Sequence, residues 1–131
     1  MIGEESLLAS EPGLRVLIVD DNEDVIEVLV DGLTSYGHTV RSAATRADAL
    51  RLVEEFRPAV AIIDIALVGT DGWQLAEAIQ ALGLPDLPRL IALTGFTDEV
   101  DRERSMQAGF ARHLLKPVRM PKLDAIVRGR E

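Results

Sequence analysis

Apolar residues fall along this chain in two alternating patterns. Short apolar runs, bounded by charged residues, glycine or proline, occupy Leu14–Val19, Ala59–Ile63, Arg89–Leu93 and Phe110–Leu115, and the more polar His38–Ser42 reads as a further short strand. Runs of this kind predict strands, and the unbroken Ala59-Val60-Ala61-Ile62-Ile63 predicts one buried on both faces. Between the runs, apolar residues recur at the spacing of a helix with one buried stripe. Asn22 is placed to cap the first helix, which carries Val25, Ile26, Leu29, Val30 and Leu33 and stops near Tyr36-Gly37. Thr45 and Asp48 resemble a capping box for the second, with Ala47, Leu50 and Val53 inward and Pro58 beyond its end. The third follows Asp71-Gly72, with Leu75, Ala76, Ile79 and Leu82 inward, and ends at Gly83 and Pro85. Thr97-Asp98-Glu99 opens a fourth whose apolar positions are few, chiefly Val100, Met106 and Ala108, and Gly109 ends it. Met120–Val127 forms the last, with Leu123, Ile126 and Val127 as contacts and Pro121 in its first turn.

Strict alternation of strand and helix calls for an α/β fold: a five-stranded parallel sheet with helices on both faces. Right-handed crossovers and the order 2-1-3-4-5, the flavodoxin-like arrangement, set strands 1, 3, 4 and 5 side by side. Residues 1–13 lack a clear period and Pro12-Gly13 closes them, so they are expected to form a flexible extension ahead of one domain over 14–131.

Composition narrows the function classes. The chain has 131 residues, 47% hydrophobic, which suits one globular core. It has no cysteine, hence no disulfide and no thiolate metal site. The 22 acidic residues outnumber 14 basic ones, a net charge of -8 that opposes direct nucleic-acid binding. No apolar run is long enough for a membrane span, and the N-terminus lacks the basic region of a signal peptide, so a cytoplasmic protein without membrane contact is expected.

The chemistry lies where strands end. Asp20-Asp21, Asp64, Thr94 and Lys116 each follow or close an apolar run, and the topology gathers those ends at one edge of the sheet, where open α/β sheets bind ligands. Singly, each has a bland explanation: an acidic pair caps a helix, Thr-Gly is a turn and Lys-Pro a loop. Jointly, at matched strand ends, that explanation is far less probable. Carboxylates about 4 Å apart repel by roughly 4 kcal/mol per pair at an effective dielectric near 20. Protons or a cation must relieve this, and hard oxygen donors without His or Cys point to Mg²⁺. A carboxylate beside such an ion can act as a nucleophile toward a phosphoryl group. Lys116 would supply a point charge and Thr94 a hydroxyl donor.

From Arg15 to Val127 the chain resembles the receiver domains of two-component response regulators. The resemblance rests on VDDNED after the first strand, D-x-x-L-x-x-x-D-G from Asp64 to Gly72, LTG at Leu93–Gly95 and LKP at Leu115–Pro117. It implies that Asp64 is the phosphoacceptor, that Asp21 binds Mg²⁺ directly and Asp20 through water, and that the Ala66 carbonyl completes the protein's ligands. It further implies Thr94 as the switch hydroxyl, Lys116 as the phosphate-binding lysine, and a cis Lys116-Pro117 bond. The donor would be a histidine kinase or histidine phosphotransfer protein. The output would pass to a downstream protein through the helix 4–strand 5–helix 5 face of a monomer or weak dimer, so that the chain signals rather than turns over a substrate.

Two positions depart from the family pattern. Val68 stands for the usual loop proline, and His113 for the switch Tyr or Phe. Histidine at that place is similar to receivers attached to hybrid histidine kinases, and a receiver cut from such a kinase stays open as an alternative. Ala66 and Phe96 occupy the places from which receivers orient or block the water that hydrolyses the aspartyl phosphate. Trp73 is expected to pack on the core near the Asp64 loop. An enzyme of the haloacid-dehalogenase phosphatase type would need a second Asp where Ala66 stands. A flavin-binding module would need a hydroxyl-rich phosphate loop where the run Asp20–Asp24 repels anions.

Overall fold

The apolar runs become the strands β1 (Arg15–Val19), β2 (Thr39–Ala43), β3 (Val60–Ile63), β4 (Arg89–Thr94) and β5 (Phe110–Leu115). The periodic segments become α1 (Glu23–Ser35), α2 (Arg46–Phe56), α3 (Gly72–Ala81), α4 (Glu99–Gln107) and α5 (Met120–Val127). These come from a computed structural model that describes residues 12–66, 71–95 and 99–131, the side chains of 99 and 100 excepted. All neighbouring strands run parallel in the order β2-β1-β3-β4-β5, as the alternation predicts.

Alternate residues of the central strands feed opposite layers, the consequence of a period of two. Leu17, Val19, Ala61, Ile63 and Ala92 pack under α2 and α3, against Leu52, Val53, Leu75 and Ile79. Val16, Ile18, Val60, Ile62, Ile91 and Leu93 pack under α1 and α5, against Leu29, Leu33, Leu123 and Ile126. Every residue of β3 is buried, at roughly 2 kcal/mol for each large side chain, and so β3 forms the fixed centre of the sheet. Edge strand β2 buries only Ala43.

Asn22 and Thr45 cap as the sequence suggests: Asn22 Oδ1 accepts from the amides of Asp24 and Val25, and Thr45 Oγ1 from Asp48. Asp71 Oδ1 caps α3 by accepting from Gln74. Three expectations need correction. The second strand starts at Thr39, because the His38 ring turns inward and its Nδ1 accepts from the Leu14 amide at 3.0 Å. The inward stripe of α2 is Ala49, Leu52 and Val53, with Ala47 exposed. Apolar residues on α2 offer two competing stripes, and the one reaching Phe56 at i, i+3, i+4, i+7 wins. Met106 of α4 is 60% exposed.

Candidate functional site

The sheet ladder carries the site. Asp20 and Asp64 directly follow β1 and β3, whose last residues Val19 and Ile63 are register partners. Hydrogen bonds continue one residue past the strands: Asp20 N–H to Ala43 O at 3.1 Å, Asp64 N–H to Val19 O at 2.9 Å, and Lys116 N–H to Thr94 O at 2.8 Å. The side chains of Asp20, Asp64 and Lys116 therefore stand on backbone that is held like the strands themselves. Gly72 closes α3 behind them; a Cβ there would lie 2.6 Å from Ile65 Cα and 2.8 Å from the Asp64 carbonyl oxygen.

The side chains converge. Asp20 and Asp64 are 2% and 8% exposed. Asp20, Asp21 and Asp64 each bring one carboxylate oxygen within 4.8 Å of the others, with no histidine in the group. Lys116 Nζ donates to Asp20 Oδ2 at 2.7 Å and to Asp64 Oδ2 at 3.3 Å. The second oxygens are held by backbone: Asp20 Oδ1 accepts from Asn22 N–H at 2.9 Å and Asp64 Oδ1 from Ala66 N–H at 3.0 Å. Burial works to lower the Lys116 pKa, but the hydrogen bond to Asp20 and the charges of Asp64 and Asp20 outweigh it. The amine is held above its usual value of 10.5 and stays cationic. One ammonium among three carboxylates leaves an uncompensated negative charge. Oxygen-only donors this close fit a small hard dication.

Thr94 is fully buried at the end of β4, and Lys116-Pro117 is cis as the motif implies. Ala66 is exposed. Val68 and Phe96 lie outside the described residues. Beside Lys116 opens an apolar cleft of about 270 Å³ walled by Val25, Val28, Leu29, Pro117, Val118 and Met120.

Away from the carboxylates, His113 on β5 meets a partner that no strand-end motif announces. Its Nδ1 lies 2.7 Å from Ser105 Oγ, which also accepts from Trp73 Nε1 at 3.0 Å. The available signal was weak: α4 has almost no apolar stripe, and Ser105 lies at i-3 from Ala108.

Residues 16–128 match the family profile of the response regulator receiver domain. The chain is 33% identical over 113 residues to the transcriptional regulatory protein AfsQ1 of Streptomyces coelicolor, covering 86% of this chain and 49% of that protein. It is 32% identical over 105 residues to an uncharacterized 14.6 kDa protein of Leptolyngbya boryana, covering 80% of each. It thus spans about half the length of the first of these relatives and most of the second. The structure of the chemotaxis protein CheY4 of Vibrio cholerae shares the fold, with a TM-score of 0.84 over 91% of this chain and 99% of that one, at 22% identity. The likeness to hybrid-kinase receivers is not confirmed by these comparisons.

Proposed function

We propose, on the premise that this chain belongs to the response regulator receiver domain family, that Asp64 accepts a phosphoryl group from a phosphohistidine donor and that the receiver over residues 14–131 reports it on its α4–β5–α5 face. The observation carrying this reading is the convergence of Asp20, Asp21 and Asp64 around Lys116.

In the step, a carboxylate oxygen of Asp64 forms a bond to phosphorus as the phosphorus–nitrogen bond of the donor breaks, and the electron pair leaves with the donor imidazole. The Ala66 amide, bonded to Asp64 Oδ1, orients the carboxylate and leaves Oδ2 toward Lys116. Lys116 then follows the negative charge from Asp20 and Asp64 to the phosphoryl oxygens, and Thr94 donates its hydroxyl to one of them. Asp21, Asp64 and the Ala66 carbonyl would hold Mg²⁺, with Asp20 contributing through water, and the ion would help neutralise the charge on those oxygens. The donor is a histidine kinase or histidine phosphotransfer protein, and the reader is a downstream protein.

Incubation with a small phosphodonor should add the mass of one phosphoryl group, on the peptide containing Asp64. Excess chelator should suppress the gain. A gain that survives chelation, or that maps elsewhere, overturns the reading.

The phosphorylated form should be long-lived for a receiver. Ala66 offers the attacking water no hydrogen bond, and an unaligned water costs about tenfold in rate, about 1.4 kcal/mol in the barrier. Ala66→Asn is therefore expected to speed loss of the label by about that factor, followed by intact mass after donor removal. Equal decay in both proteins would remove Ala66 from the control of lifetime.

A further inference from the structure

Helix α1 reaches solvent on two sides, and they differ in character. Asp24, Val25 and Val28 turn toward the cleft beside Lys116. On the other side a second groove of about 500 Å³ opens between α1 and the turn from β2 into α2. Ile26, Val30, Ala43 and Ala44 give it an apolar lining. Ile26 and Val30 are half-buried: each packs on the core by one side and leaves the other to the groove. Two aliphatic side chains at i, i+4 thus present an apolar strip that the fold does not finish covering.

The rim of this groove is acidic. Glu23, Glu27 and Asp31 follow one another at i, i+4 and i+8, Asp48 adds a carboxylate from α2, and no lysine or arginine lines the groove. Helix α1 holds four acids and no base. Helix α2 relieves its acids locally, with Arg51 at 3.6 Å from Asp48 and 3.0 Å from Glu55. Among the described residues, no ion pair reaches Glu23, Glu27 or Asp31. Glu23 lies in the first turn, where the helix dipole favours an anion, but Glu27 and Asp31 lie past it. Like charges at i, i+4 repel, and a row of cations laid along the stripe removes that penalty. From Glu23 to Asp31 the stripe covers about 12 Å of helix at the usual rise per residue. A second helix with Lys or Arg at i, i+4 and i+8 matches that length. Aliphatic residues on its adjoining stripe would lie along Ile26 and Val30. Nucleic acid and anionic lipid carry the wrong charge for such a rim.

We propose that the groove between α1 and the β2–α2 turn docks a basic amphipathic helix of a protein partner, with Glu27 and Asp31 pairing its cations and Ile26 and Val30 receiving its aliphatic side chains. The inference is independent of Asp64 as phosphoacceptor, since neither the acidic triad nor Lys116 lines this groove.

The probe is a fluorescently labelled synthetic helical peptide with lysine at i, i+4 and i+8 and leucine on the adjoining stripe. A second peptide of the same composition in scrambled order keeps the charge and loses the stripe. Anisotropy titrations measure both against wild type, Glu27→Lys, Asp31→Lys, Val30→Gln and Glu77→Lys. Glu77 is an exposed acid on α3, outside the groove, so its variant changes net charge equally. Wild type and Glu77→Lys should bind the amphipathic peptide about tenfold more tightly than the scrambled one, and the three groove variants should each lose about that factor. Amide shifts in wild type should map to α1 and residues 42–48. Glu27→Lys and Asp31→Lys relieve repulsion and should melt no lower than wild type, so their lost binding cannot come from unfolding. Should Val30→Gln not fold, these two variants decide the matter. Equal affinity for the two peptides, unchanged binding by Glu27→Lys, or shifts centred on the cleft beside Lys116 overturns the proposal. Wild type alone should sediment as a monomer. A dimer that Glu27→Lys dissociates would make the occupant a second copy of this chain and overturn the partner named.

Discussion

Asp64→Asn is expected to lose all phosphoryl uptake from a small donor while melting at a higher temperature than wild type in chelator. The two effects have one cause. Asp64 shares a space of 4.8 Å with two other carboxylates and has Lys116 at 3.3 Å. At an effective dielectric near 20, each carboxylate pair at that separation repels by roughly 3.5 kcal/mol, and the ammonium returns roughly 5 kcal/mol. The balance remains unfavourable, and solvent screening of the more open Asp21 reduces it to something on the order of 1 kcal/mol. Asparagine removes the charge and the nucleophile together while keeping an oxygen for the Ala66 amide. Intact mass spectrometry checks the first effect. Thermal melts with chelator and with Mg²⁺ check the second, and the stabilisation by Mg²⁺ should shrink in the variant. A variant that still gains mass would show that Asp64 is not the acceptor, and one that melts lower without metal would show that Asp64 is not under electrostatic load.

The largest loss of stability is expected far from that site, from Asp124→Ala. His38 accepts from the Leu14 amide through Nδ1, so its proton sits on Nε2, which donates to Asp124 Oδ1 at 2.7 Å. Arg128 Nε donates to the same oxygen at 2.9 Å, and its other nitrogens hold the carbonyls of Pro12 and Tyr36. Arg89 adds bonds to the carbonyls of Ile126 and Val127 at the end of α5. This polar cluster ties the approach to β1, the end of α1, the start of β2 and α5 together at the edge of the sheet opposite Asp64. Deleting the carboxylate strands a buried imidazole N–H and a largely buried guanidinium. Breaking such a group from one side costs about 3 kcal/mol, which for a domain of this size lowers Tm by roughly 10 °C. Asp124→Asn, which keeps the accepting oxygen, should cost about 1 kcal/mol. Urea denaturation measures both. A loss below about 1 kcal/mol in the alanine variant would mean that the cluster contributes little net stability. Phosphorylation of Asp64 should be intact in either protein, since no member of the cluster touches the acidic edge.

The sequence by itself determined the layout. The bounds of β5 and α5 are those its apolar periods predict, and the sheet order follows from alternation and crossover handedness. The carboxylates at the ends of β1 and β3 and the lysine after β5 were legible as a group, because strand ends in a parallel sheet must come together whatever the details of packing. Their exact partners were not. That Lys116 binds Asp20 more closely than Asp64 depends on how β5 sits against the rest of the sheet. The inward stripe of α2 shares only Val53 with the expected one, with Leu50 partly buried, since a helix with apolar residues on two stripes settles its rotation only against the sheet. His38 and Asp124, 86 positions apart, and Trp73 and Ser105, 32 apart, could not be paired from spacing. An apolar stripe needs only to face any core, so its period is written in local sequence. A buried polar group needs one partner at hydrogen-bond distance, and which group arrives there is decided only when the elements have packed.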